Sequence, residues 1–270
     1  MGVGPVMASN PSTSDPFAPV SGLLFDLDGT LIATRHLYLE AFADALEPLI
    51  GQRLTHDEMI ARHPRSEVRF LKELTAEAVL GGADRAGTGD PAVAADQHAA
   101  ADPPPPHARL KAAQSAVLDR FFESYRRRHP RDFEGVYPGV RSMLDLGRSR
   151  GLPVGLVTGK SRRSWDITRP AVDLGEFHAL IFDDDVPESK PDPAGLHLAL
   201  EALELPAEHV VYIGDSVTDL EAAVRAGIRP VAVLWSKRAH EREPFRQAAL
   251  ARGGLALATP GDLSELLSAG

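Results

Sequence analysis

The sequence predicts an α/β fold, a parallel sheet layered with helices and interrupted near its start by a helical insertion. Three observations carry this. From Gly135 onward, short apolar runs alternate with amphipathic stretches, the pattern of strands joined by right-handed helical crossovers. Within residues 35–134 the apolar residues recur instead at helical spacing, in three separate stretches. Ahead of both stands an isolated apolar run, Leu23 to Asp28, bounded by Gly22 and Gly29 in the manner of a strand buried on both faces.

Leu23 to Asp28 is thus the first strand. His36 to Ile50 carries Leu37, Phe42, Leu46 and Leu49 on one helical face. Glu67 to Leu80, with Val68, Leu71, Leu74 and Val79, is the second helix of the insertion, and Leu110 to Arg128 the third. The intervening 81–108 is rich in Gly, Ala, Asp and Pro and ends in Pro103 to Pro106; it is expected to be a flexible loop, with polyproline II at the proline run. The core then resumes with helix Val140 to Arg150, strand Pro153 to Thr158, helix Ser164 to Leu174 interrupted at Pro170, and strand Ala179 to Phe182. Helix Ala194 to Leu203, strand Val210 to Ile213, helix Asp219 to Ala226, strand Pro230 to Leu234, a short strand at Leu255 and helix Gly261 to Leu267 complete it. The expected division is a disordered tail over 1–20, a core from 21–34 and 135–270, and an insertion over 35–134. Met7 is an alternative start.

The 270 residues carry 29 Lys and Arg against 38 Asp and Glu, a formal charge of −9, which argues against general affinity for nucleic acid or anionic membrane. No apolar run approaches the roughly 18 residues of a membrane span, and the first 20 residues lack the pattern of a secretory signal. With no cysteine, disulfides and thiolate metal sites are excluded. A cytoplasmic protein, monomeric or homodimeric, is expected.

Two carboxylates, Asp26 and Asp28, end the first strand, where ligands of parallel sheets bind. Alternation would place both on one side if the strand persists that far. On this segment alone an Asp-Gly turn is an equal reading. Three later segments add to it: Leu156-Val-Thr158-Gly159-Lys160-Ser161, Ser189-Lys190-Pro-Asp-Pro193, and Val211-Tyr-Ile-Gly214-Asp215-Ser216-Val-Thr-Asp219. In this order and strand context the four segments resemble the four motifs of the haloacid dehalogenase superfamily. They look most like its phosphoglycolate phosphatase, pyrophosphatase and β-phosphoglucomutase group, whose Rossmann-like core carries a helical cap between the first and second motifs.

The resemblance implies a Mg²⁺-dependent phosphatase acting on a small-molecule phosphate monoester, phosphoglycolate-like, through an aspartyl phosphate. It makes Asp26 the nucleophile and Asp28 the acid and base. Thr158, Gly159 and Lys190 would hold the phosphate, with Lys190 neutralising nucleophile and oxygens. Asp26, the Asp28 carbonyl and Asp215 would bind the metal, with Asp219 in its outer shell. Arg65, in His63-Pro-Arg-Ser66, is a candidate substrate contact from the cap. A pyrophosphatase or sugar phosphomutase on the same core is the alternative, and a non-catalytic binding protein using the proline run is the alternative of another class. Asp28 argues against a dehalogenase or a phosphonate-cleaving enzyme, the latter requiring a cap lysine such as Lys72. Asp183 to Asp185 reads as a solvated acidic loop, Arg126 to Arg128 as charges suiting a helix C-terminus. Lys160, Arg162 and Arg163 could guard the entrance, and the ten histidines show no metal-ligand spacing.

Overall fold

The computed structural model describes residues 20–62, 66–86 and 105–267. Strands β1 (Gly22–Phe25) and β2 (Ile32–Ala33) precede four helices, α1 (Arg35–Ile50), α2 (His56–Ala61), α3 (Glu67–Ala86) and α4 (Pro106–Asp132). The chain continues through β3 (Gly135–Val136), α5 (Val140–Ser149), β4 (Val154–Val157), α6 (Arg162–Thr168), β5 (Ala179–Ile181) and α7 (Ala194–Leu203). It ends with β6 (Val210–Gly214), α8 (Val217–Arg225), β7 (Arg229–Val233), α9 (Ala239–Leu250), β8 (Leu255–Leu257) and α10 (Leu263–Leu266).

Six strands form one parallel sheet in the order β5-β4-β1-β6-β7-β8. Chain order reverses on either side of β1, so the crevice at its carboxyl end is the expected ligand position of an open α/β sheet. Alternate residues feed opposite layers. Leu23, Phe25, Leu156, Val211 and Ile213 pack with Met143 and Leu144 of α5 and Trp165 of α6, whereas Leu24, Val157 and Tyr212 pack with Leu196 of α7 and Ala222 of α8. Each fully buried leucine or phenylalanine contributes roughly 1.5–3 kcal/mol.

Helices α1 to α4 enclose a cluster of their own, built on Leu37, Phe42, Leu46, Phe70, Leu71, Val117, Phe121 and Tyr125. The rings of Phe42 and Phe121 stack at 5.2 Å. The antiparallel ribbon of β2 with β3 ties the two chain crossings between this insertion and the sheet.

The structure corrects several sequence expectations. Residues 81–86 extend α3, and Pro106 begins α4, since a proline at the first helical position gives up only an N–H that lacks a helical partner; the rest of the expected loop lies outside the described residues, as does residue 65. Helix α2 was not expected, although Thr55 and Glu58 form a capping box around its first turn. Helix α9 was also missed: Pro244 and many charges thin its periodicity, and it buries only Phe245 and Ala249. Helix α6 ends at Thr168 in a 3-10 turn over Arg169–Ala171, imposed around Pro170.

Candidate active site

Strand β1 stops at Phe25, yet the Asp26 N–H still donates to the Ile213 carbonyl at 2.9 Å, which fixes Asp26 at the mouth of the sheet. The strand does not persist to Asp28. The chain turns instead, with the Leu27 carbonyl accepting from Leu31 and Ile32 at 2.8 and 3.1 Å. Both carboxylates nonetheless line one cavity of about 380 Å³ between the sheet and the helical insertion.

Lys190 is the centre of charge. Its Nζ donates to Asp26 Oδ1 and Asp219 Oδ1, both at 2.7 Å, and to the Tyr212 hydroxyl at 2.9 Å. Burial works against the ammonium, but Asp219 and Asp26 outweigh it and hold its pKa well above the ordinary lysine value. The two carboxylates respond oppositely. Burial pushes Asp26 well above the usual carboxylate range despite Lys190. For Asp219 burial is outweighed by Lys190 and by the Ser216 N–H and O–H, at 2.9 and 2.6 Å, so its pKa is lowered.

Asp215 follows β6, and its Oδ2 accepts from Lys237 at 2.7 Å. Burial raises its pKa and Lys237 opposes the rise. Gly29, at φ +83°, lies against this carboxylate: a Cβ there would stand 2.5 Å from Asp215 Oδ2. Thr158 follows β4 next to Gly159, and its Oγ1 accepts from the Lys160 N–H at 3.1 Å. Ser161, not Thr158, caps α6 by accepting from the Ser164 N–H.

A divalent cation fits this donor set. Asp26, Asp215 and Asp219 each offer a carboxylate oxygen, all within 4.8 Å of one another, and hard oxygen donors suit Mg²⁺. Both oxygens of Asp219 are engaged, Oδ1 by Lys190 and Oδ2 by Ser216, whereas Lys190 engages Oδ1 of Asp26 and Lys237 engages Oδ2 of Asp215, so Asp26 and Asp215 are the carboxylates with an oxygen to turn to an ion. A second group, His36, Glu40 and His56, gathers on the insertion, with spacing overlooked in the sequence. Its Glu40 is already engaged by Arg53 at 2.8 Å and Arg128 at 3.1 Å.

Several flanking residues differ from expectation. Lys160 does not guard an entrance: it is buried, contacting Asp28 at 3.4 Å and the Tyr125 hydroxyl at 2.9 Å. Arg162 instead pairs with Asp185, and Arg163 reaches Asp119 of α4. Asp183 is not solvated. It is buried, accepting from Ser66 at 2.6 Å, from Arg69 at 3.3 Å and from Ser189, and so joins the insertion to the sheet layer. Arg127 and Arg128 serve the insertion by binding Asp44. Glu67, Tyr38, Tyr125, Tyr212 and Lys237 went unnoticed in the sequence. A tyrosine within an apolar run reads as core and a lysine after a strand as surface, so only the juxtaposition in space reveals them.

A family model for haloacid dehalogenase-like hydrolases matches residues 20–227. A phosphoglycolate phosphatase of Pseudomonas syringae pv. tomato is 35% identical over 119 residues, covering 44% of this chain and 43% of that protein. The chain thus spans less than half the length of such relatives in these matches. A phosphoglycolate phosphatase of Pseudomonas putida is 27% identical over 79% of this chain and 69% of its own. Among solved structures, a putative beta-phosphoglucomutase from Thermotoga maritima superposes with a TM-score of 0.59 at 25% identity, over 92% of this chain and 99% of that one.

Proposed function

Because the chain belongs to the haloacid dehalogenase-like hydrolases, we propose that it hydrolyses a small, phosphoglycolate-like phosphate monoester through a phosphorylated Asp26. The observation that carries this reading is the Asp26 carboxylate, held 2.7 Å from Lys190 at the carboxyl end of the central strand and facing a cavity.

Asp26 attacks phosphorus while the bond to the leaving oxygen breaks, and Asp28 supplies the proton that oxygen needs. Water then attacks the phosphoaspartate, its proton passing to Asp28, and inorganic phosphate leaves with Asp26 restored. Thr158 and Gly159 hold the phosphate oxygens by hydroxyl and amide, and Lys190 neutralises them and the nucleophile. Lys190 is already charged and shared between Asp26 and Asp219, so the ammonium needs no reorganisation when negative charge arrives. A Mg²⁺ ion held by Asp26, the Asp28 carbonyl and Asp215 would add positive charge beside the phosphoryl oxygens. Asp219 steadies Lys190 from the outer side. The helical insertion, residues 35–134, acts as the cap that excludes water over the core formed by 21–34 and 135–270.

The protein acts on a small molecule in the cytoplasm, as monomer or homodimer. Phosphate release from 2-phosphoglycolate, pyrophosphate, hexose phosphates and p-nitrophenyl phosphate, with Mg²⁺ and with chelator, tests the reading. It expects metal-dependent turnover with 2-phosphoglycolate among the best substrates. Turnover that survives chelation, or silence across the panel, would overturn it.

A further inference from the structure

Lys160 is completely buried beside the reacting groups, and the chemistry above makes no use of it. An isolated ammonium in such a place costs several kcal/mol unless it is paired and hydrogen-bonded. An ammonium has three protons to give. Here they meet three acceptors: Asp28 Oδ1 at 3.4 Å, the Tyr125 hydroxyl at 2.9 Å and the Tyr38 hydroxyl in close contact. The rings of Tyr38 and Tyr125 also face the charge, with centroids 4.5 and 4.8 Å away. With its donors spent, Lys160 has none to offer a substrate.

Its partners have a pattern. Asp28 and Lys160 belong to the sheet layer, whereas Tyr38 comes from α1 and Tyr125 from α4. Asp28 is held in addition by Thr34 Oγ1 at 2.7 Å and by the Tyr38 hydroxyl at 3.4 Å. Tyr125 is itself anchored, its hydroxyl 2.9 Å from Thr168 Oγ1. Thr34 and Lys160 thus hold the Asp28 carboxyl from its own layer, and the Tyr38 and Tyr125 hydroxyls complete the set through contacts that exist only with the insertion docked. The contact of 3.4 Å is longer than a tight hydrogen bond, and catalytic contacts of this kind commonly shorten once substrate is bound.

We propose that Lys160 is a positioning residue that, together with Tyr38 and Tyr125, aims Asp28 at the leaving oxygen and ties that aim to docking of the helical insertion. The proposal rests on the phosphatase reading. During the step, the Asp28 proton moves to the leaving oxygen as its bond to phosphorus breaks and the bond to Asp26 forms; Lys160 exchanges no proton. Misaiming Asp28 therefore harms poor leaving groups, which need that proton, and spares good ones.

The test compares kcat and KM for glycerol 3-phosphate, an alkyl ester, and p-nitrophenyl phosphate, in the native protein, Lys160→Met and Tyr125→Phe. Lys160→Met is expected to lose about tenfold or more in kcat on the alkyl ester, part of the 10²–10⁴ a general acid supplies, but less than about threefold on the aryl ester, with KM little changed. Tyr125→Phe should show the same selectivity more weakly. It removes one acceptor of the Lys160 ammonium but keeps the charge and makes no contact with Asp28, so it carries the comparison if Lys160→Met fails to fold. Equal losses on both esters would overturn the proposal, as would a rise in KM confined to the alkyl ester, the mark of a substrate contact. A native protein inactive on both esters would instead sink the phosphatase reading itself.

Discussion

At Gly29 the backbone takes φ +83°, and the missing side chain leaves room for the Asp215 carboxylate. Gly29→Ala would bring a Cβ to 2.5 Å from Asp215 Oδ2 and force a strained conformation. It is expected to destabilise the fold by about 1–3 kcal/mol and to weaken Mg²⁺ binding about tenfold, measured by denaturant unfolding and by metal titration. Unchanged Mg²⁺ affinity would remove Asp215 from the ion's neighbourhood. At this scale the sequence exposed the residues whose type announces chemistry. Asp26 and Asp215 directly follow strands β1 and β6, and Asp28 and Lys190 lie in the loops beyond β1 and β5, where carboxylates and lysines have little packing use; the structure brings all four around one cavity. Tyr212 and Glu67 stayed hidden because their roles depend on partners 22 and 94 residues away.

Among the elements, α3 shows how the insertion rests on the sheet layer. Its first residue, Glu67, suits the positive end of the helix dipole and accepts from the Ser161 N–H at 3.0 Å and from the Ser161 and Ser164 hydroxyls. Burial raises the Glu67 pKa; Lys160 and the hydroxyls of Ser161, Ser164 and Tyr38 oppose that rise without cancelling it. A carboxyl whose pKa is higher docked than undocked favours docking when protonated. Docking is thus tightest below the ordinary glutamate range and weakens as pH rises through the raised value. Hydrogen exchange at the start of α3 and at Ser161 should accelerate toward neutral pH beyond its intrinsic increase, and Glu67→Gln should flatten the excess. A native protein without such an excess would contradict this. Element existence was legible where burial is one-sided or complete, as in β1, α5 and α7. It failed for α2 and α9, which are short or rich in charge and proline and bury few apolar residues.

Across the whole molecule, stability resides in separate apolar clusters, one for the insertion and others against the two faces of the sheet. Leu24 and Phe121 are both 0% exposed. Leu24→Ala should cost about 2–5 kcal/mol and lower protection throughout the sheet, while Phe121→Ala should cost about 3–5 kcal/mol mainly within α1, α3 and α4. Hydrogen exchange resolves the two patterns; identical protection losses from both substitutions would show one cooperative unit. The alternation of strand and helix made the sheet legible at this scale, whereas docking of the insertion was not, because it depends on single polar contacts such as Ser66 with Asp183. The proposed hydrolysis requires that Asp26 carry the phosphoryl group. Phosphate release by Asp26→Asn, with Mg²⁺ saturating and folding verified by hydrogen exchange, tests it most directly. A loss of at least about a thousandfold relative to the native protein is the predicted result, and turnover within a few-fold of native would contradict it.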